Sequence, residues 1–206
     1  MLQLIEHPLI RHNLRILRDR RTGKEQFQAA LERISSLMLF QLSSDLMLQK
    51  CQTETPLESC STEKLDEDIV LIPILRAGMG MLAGISGLIP EARVGHIGMA
   101  RDHESLEPEQ YYLKLPVKLE SSLVLLMDPM LATGGSASAA LSLLKRAGAK
   151  RLKLLSIVGA PEGVSRIERD HPETGIYLAA LDRELNEKGY ILPGLGDAGD
   201  RIYGTD

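Results

Sequence analysis

Leu123-Val124-Leu125-Leu126-Met127-Asp128-Pro129-Met130-Leu131-Ala132-Thr133-Gly134-Gly135-Ser136 is the stretch on which the reading of this chain turns. Its first five residues are apolar without a break, as expected of a parallel strand buried on both faces. Asp128 then emerges at the carboxyl end of that strand, where open α/β sheets place their ligands. Gly134 and Gly135 let the backbone approach an anion, and Thr133 and Ser136 add hydroxyl donors. The residues that follow, Ala-Ser-Ala-Ala-Leu-Ser-Leu-Leu, open a helix. Its free N–H groups and positive dipole end favour a phosphate by about 0.3–1 kcal/mol when exposed and about 2 when partly buried. The stretch therefore suits a ligand that carries both a phosphate and hydroxyl groups. A Gly-Gly turn by itself is more simply a strand–turn–helix with Ser136 as N-cap. The Asp-to-Ser spacing behind a buried strand argues against that plainer reading.

Around this stretch the pattern alternates. Strands are expected over 69–75, 94–99, 153–158 and 176–181, with helices over 79–88, 136–147 and 161–170. Residues 111–115 fit a short strand in a projecting arm. Strand and helix alternating in this way give an α/β fold, a parallel sheet with helices on both faces. Before it, 9–20 reads as a short helix and 24–49 as a long one. Phe27, Leu31, Ile34, Met38, Leu42 and Leu46 recur at intervals that place them on one helical face. Residues 52–68 are polar, contain Pro56, and read as a loop or edge segment. The stretch from 189 to 206 is rich in glycine and charge, with Asp197 and Asp200 between the glycines, and reads as an ordered binding loop.

The chain has 206 residues, which suits one domain over 1–206. It is 44% hydrophobic and 25% charged, with a net charge of −4. That balance gives no support for nucleic-acid or membrane partners. Cys51 and Cys60 form no disulfide or zinc pattern, which favours a reducing compartment. Glu6, His7 and Arg11 interrupt any signal-peptide core, and no apolar run is long enough to span a bilayer. A cytoplasmic protein is expected.

Four segments then stand together: Pro-Ile-Leu-Arg-Ala-Gly at 73–78, Gly-Met-Ala-Arg-Asp at 98–102, residues 128–136, and Tyr-Ile-Leu-Pro-Gly-Leu-Gly-Asp-Ala-Gly-Asp at 190–200. The set resembles uracil phosphoribosyltransferase, a branch of the type I phosphoribosyltransferases. The resemblance runs from His7-Pro8-Leu9 to Arg201-Ile202-Tyr203-Gly204-Thr205. The Thr-Gly-Gly-Ser loop speaks only for the wider superfamily. Pro129, where that superfamily usually has a second acidic residue, and the segment at 194–200 are far more specific. Ala100 departs from the family, which has an aromatic residue beside the arginine.

The resemblance implies a type I phosphoribosyltransferase fold, with a projecting arm and a small base-binding hood. It also implies the conversion of uracil and phosphoribosyl diphosphate (PRPP) to UMP and diphosphate, in pyrimidine salvage, with magnesium bound mainly through PRPP. By the same resemblance PRPP is held by Arg76, Arg101, Asp128, Pro129, Met130, Leu131, Ala132, Thr133, Gly134, Gly135, Ser136 and Asp197. Uracil is read by Ile191, Gly196, Asp197 and Ala198, and Asp197 is the candidate catalytic residue. No protein side chain is assigned as a metal ligand. The resemblance implies a homodimer or higher homo-oligomer and leaves a GTP effector open. A side chain at Gly134 is expected to clash with the phosphate.

Other features have plainer readings. Arg15, Arg18, Arg20 and Arg21 read as a solvated helix face, and they are the only support for an RNA-binding regulator. Gly23-Lys24 precedes Glu25 and follows no strand, so it makes no P-loop. His103-Glu104 lacks a second histidine at helical spacing for zinc.

Overall fold

Residues 123–127 form the buried centre of a sheet. The computed structural model describes residues 1–101 and 108–205. The first part comprises β1 (Leu2–Leu4), α1 (Pro8–Arg18), α2 (Lys24–Leu42), β2 (Leu48–Glu54) and β3 (Ser59–Leu65). Next come β4 (Ile69–Leu75), α3 (Met79–Ser86), β5 (Arg93–Val94), β6 (His96–Arg101) and β7 (Pro108–Lys114). Then follow β8 (Leu123–Met127), β9 (Met130–Leu131), α4 (Gly135–Arg146), β10 (Arg151–Gly159) and α5 (Pro161–Asp170). The last are β11 (Gly175–Leu181), β12 (Glu184–Leu185), β13 (Ile191–Leu192) and α6 (Ala198–Tyr203).

The main sheet runs β1-β11-β10-β8-β4-β6-β7, with β5 added to β4 and β9 to β10. All pairings are parallel except β6 with β7. β8 lies between β4 and β10, with Leu125 in register with Leu71 on one side and Lys153 on the other. Its side chains alternate between two cores. Leu123, Leu125 and Met127 pack with residues of α1, α2, α3 and α6. Val124 and Leu126 pack with Ala137, Ala140, Leu141 and Leu144 of α4 and Val164 and Ile167 of α5. A strand covered on both faces has no polar side, which is why its sequence shows no alternation.

Three expectations are corrected. α2 stops at Leu42, so Leu46 leaves the helical face. Ser43–Asp45 form a short 3₁₀ turn in which the Ser43 and Ser44 hydroxyls donate to the carbonyls of Phe40 (3.2 Å) and Gln41 (2.9 Å). Such local bonds compete with helix propagation. The Lys153 ammonium fixes the stop by donating to the Leu42 carbonyl (3.2 Å) and to Asp45 (2.9 Å). Residues 52–68 are largely strand, because β2 and β3 pair antiparallel around the turn at Pro56. Both faces of this ribbon are mostly exposed, so no buried side imposed an apolar period on its sequence. Residues 111–114 belong to β7, an edge strand of the main sheet that Leu115 follows, and the separate two-stranded ribbons are β2 with β3 and β12 with β13. Cys51 and Cys60 lie on that ribbon as free thiols.

Candidate active site

Asp128 leaves β8 at its carboxyl end and the chain immediately re-enters the sheet. The Pro129 carbonyl accepts from the N–H groups of Ile157 (3.0 Å) and Val158 (3.1 Å), and the Leu131 carbonyl from Ala160 (2.9 Å). Pro129 and Leu131 are buried and fasten the loop from behind; neither lines the cleft. Gly134 then takes φ 74° and caps α4, so Ser136 is not the N-cap that the plainer strand–turn–helix reading required. Its carbonyl accepts the Ser138 N–H at 2.8 Å, and the Gly135 N–H lies 3.3 Å from the Thr133 hydroxyl. A Cβ at Gly134 would lie 2.9 Å from the carbonyl oxygen of Gly163 in α5. A side chain at Gly134 would therefore also press on the neighbouring helix. The first turn of α4 carries no acidic residue, so its N-terminal field is not opposed there.

A cleft of about 380 Å³ opens in front of this loop. Asp128, Met130, Ala132 and Ser136 form one wall. Ile191, Gly196, Asp197 and Ala198 form another, and Arg76 borders both. Thr133, Gly134 and Gly135 do not line it. Arg101 ends β6, and its side chain lies outside the described residues, as do residues 102–107.

The Asp128 carboxyl is pushed up to about 7, first by burial and then by the negative charge of Asp197, while a 3.4 Å hydrogen bond from the Met130 N–H pulls the other way. Asp197 is exposed and caps α6, accepting the Asp200 N–H at 3.0 Å. Arg76 lies 3.3 Å from the Asp200 carboxylate, and its carbonyl accepts the Tyr203 hydroxyl at 3.0 Å. α6 thus ties Arg76 to the same segment that carries Asp197. Lys188 and Tyr190 also border the cleft, as do Ala77 and Met99. None of these four was a candidate from sequence. Tyr190 and Lys188 flank a glycine beside the recognised segment, which is the signal that could have found them. Ala77 and Met99 lie inside two of the four segments, but their apolar side chains carry no chemistry that would single them out.

The wall formed by 191–198 hangs on a short antiparallel pair, β12 with β13. The Asn186 side chain holds the turn between them, accepting from the N–H groups of Lys188 (3.0 Å) and Tyr190 (2.9 Å). Leu195 is buried beneath the loop. Arg18, expected on a solvated face, is instead paired with the buried Asp182 at 2.6 Å. Arg15 is exposed on α1 as expected, and Arg20 and Arg21 are exposed beyond the end of that helix.

Among the described residues no group of three or more His, Cys, Asp or Glu side chains forms a metal cage. No helix there is long and apolar enough to cross a membrane.

The family model for uracil phosphoribosyltransferase matches residues 4–205. The chain is 52% identical over 203 residues to the uracil phosphoribosyltransferase of Thermus thermophilus, covering 98% of each. Among solved structures it superposes on the AQ2163 protein of Aquifex aeolicus with TM-score 0.95 and 37% identity, covering 100% of this chain and 99% of that one. A hypoxanthine phosphoribosyltransferase from Staphylococcus aureus shares the fold at TM-score 0.54 and 13% identity, over 77% of this chain and 76% of that one. The four segments, the sheet and these matches converge: the chain belongs to the uracil phosphoribosyltransferase family.

Proposed function

We propose that the cleft carries out the family's reaction, joining uracil to PRPP to give UMP and diphosphate. One observation supports this above the others: the phosphate-loop strand end at Asp128 and the segment at 191–198 face a single cleft. A sugar phosphate on the first wall brings its C1′ toward a base on the second.

Each residue then has a task. The N–H groups at the start of α4 receive the 5′-phosphate, as helix N-termini do. Asp128 in its ionised form accepts hydrogen bonds from the ribose hydroxyls. Arg76 and Arg101 meet the diphosphate, where guanidinium forks match phosphate oxygens. The bond from C1′ to diphosphate loosens early, so the protein's main work is to stabilise the leaving group and hold uracil N1 in line. Backbone groups of Ile191, Gly196 and Ala198 pair with O4 and N3–H of uracil. Cytosine reverses that donor–acceptor pattern, and each mispaired buried group costs about 1–3 kcal/mol. Asp197 stands between base and sugar phosphate.

Asp128 and Asp197 offer hard oxygen donors, which suits magnesium carried chiefly on diphosphate oxygens and water. When bound, the ion neutralises charge on the diphosphate. The reading includes a cytoplasmic homo-oligomer and leaves GTP activation open; sedimentation and a GTP titration of the rate decide these two points.

The test is purified protein with PRPP, magnesium and labelled bases. UMP from uracil, with cytosine and hypoxanthine unused, is the expected result. Equal use of another base contradicts the assignment.

A further inference from the structure

The base-side wall of the cleft is held by a side-chain clamp that lies in none of the motifs. Arg18 stands in the last turn of α1, and Asp182 directly follows β11. Their side chains are 25% and 5% exposed. Arg18 Nη1 and Nη2 donate to Asp182 Oδ2 (2.8 Å) and Oδ1 (2.6 Å), a two-pronged pair that fixes orientation as well as distance. Both partners also grip one residue, Gly194. Its N–H donates to Asp182 Oδ2 at 2.9 Å, and its carbonyl accepts from Arg18 Nη1 at 2.8 Å.

Gly194 is the bend of the base-side loop. It has φ 60°, and a Cβ there would lie 2.1 Å from the Ile191 carbonyl oxygen. Ile191 precedes it and Gly196 and Ala198 follow, so the residues assigned to uracil flank the clamped one. Arg201 fixes the next carbonyl, Leu195, at 2.9 Å.

We propose that Arg18 and Asp182 are positioning residues for base selection: by holding both backbone groups of Gly194, they fix the peptide groups that distinguish uracil from cytosine. The physical requirement is rigidity. Uracil and cytosine have nearly the same shape and differ in the direction of their hydrogen bonds. A backbone free to move can meet either pattern, whereas a fixed one leaves cytosine with unpaired buried groups. Productive geometry of this kind needs a supporting shell that holds it to within about 0.5 Å. The clamp does this from outside the cleft, and neither of its members lines it. The proposal rests on the assignment of Ile191, Gly196 and Ala198 to the base.

The test compares Arg18→Met, Arg18→Lys, Asp182→Asn and the double variant Arg18→Met/Asp182→Asn with wild type. Arg18→Met is expected to raise the uracil KM roughly tenfold, as small misplacements at a reacting centre do, with the PRPP KM unchanged. The uracil-to-cytosine ratio of kcat/KM should fall with it. Arg18→Lys keeps the charge but loses the fork, and should recover part of that ratio. Arg18→Met also leaves a lone buried carboxylate, which destabilises by itself. The double variant removes that charge, so its melting temperature should recover while its base ratio stays low. A uracil KM and base ratio that recover together with the melting temperature would overturn the clamp, as would a parallel rise in the PRPP KM. Gly196→Ala, strained at its φ of 82°, separates the two ideas. Unchanged uracil binding in that variant contradicts the base assignment itself. Lost uracil binding there, beside a normal Arg18→Met, contradicts the clamp alone.

Discussion

Gly134 and Gly163 face each other with no room for a side chain on either. A Cβ on Gly134 would stand 2.9 Å from the Gly163 carbonyl oxygen, and one on Gly163 would stand 2.5 Å from that of Ala132. α5 is therefore the floor on which the phosphate loop rests. Gly163→Ala should push the two apart, costing about 1–3 kcal/mol as overpacking does, and should raise the PRPP KM. Melting in the absence of ligand checks the first effect and steady-state kinetics the second. A variant as stable as wild type with normal PRPP use would show that the floor is not needed.

Asp128 carries a pH dependence of definite sign. Its folded pKa is raised to about 7, above the usual carboxylate value of about 4. Below both values the carboxyl is protonated in folded and unfolded chains alike. Between them the folded protein holds a proton that the unfolded chain has released, so this group's contribution to stability falls as pH rises through the window. PRPP needs the ionised form, so affinity should climb as pH passes 7. Asp128→Asn should bind PRPP weakly at every pH and flatten both curves. Melting temperatures and PRPP titrations across pH 5–8 measure this, the range being about one to two units around the shifted value.

Asp197 has two tasks that different substitutions separate. Asp197→Ala removes the cap of α6 and should lose about 1 kcal/mol of stability. Asp197→Asn keeps an oxygen for the Asp200 N–H, so it should melt near wild type while turnover drops more than PRPP affinity. It also removes a charge that raises the Asp128 pKa, and should therefore move the PRPP binding profile to lower pH. An unchanged kcat would remove Asp197 from the reaction.

Arg201 is a structural knot. Its guanidinium donates to the carbonyls of Leu17, Leu195 (2.9 Å) and Asp19 (2.8 Å), and stacks 4.4 Å from the centre of the Phe27 ring. Arg201→Met should take the side-chain donor from the Leu17 and Leu195 carbonyls, while Asp19 keeps the Thr22 N–H, and lose about 2–3 kcal/mol, read as a lower melting temperature. A normal melting temperature would contradict the knot.

The parallel core was legible because burial on both faces leaves β8 a continuous apolar run, and because Asp128 marks where that run ends. The end of α2 was harder to read, since Leu46 continues the helical period and the stop depends on Lys153, far along the chain. The β2–β3 ribbon left no apolar period because neither face packs on the core. Around the cleft, Arg76 and Asp128 carry charges that single them out at strand ends, whereas Ala77 and Met99, inside the same kind of segment, are apolar side chains with no such mark. Arg18 looked like any helix-surface arginine; only the chain's return through Asp182 gives it a partner. Pro129 and Leu131 sit inside the recognised motif, yet hydrogen bonds to β10 and its following residue assign them to holding the loop.

One cleft is proposed to hold a ribose phosphate against the 128–136 loop and its base against residues 191–198. A crystal structure with UMP bound tests it most directly. The phosphate is expected at the start of α4, the ribose hydroxyls on Asp128, and uracil against the backbone of Ile191, Gly196 and Ala198. UMP bound with its base turned away from residues 191–198, or at any other surface, would contradict it.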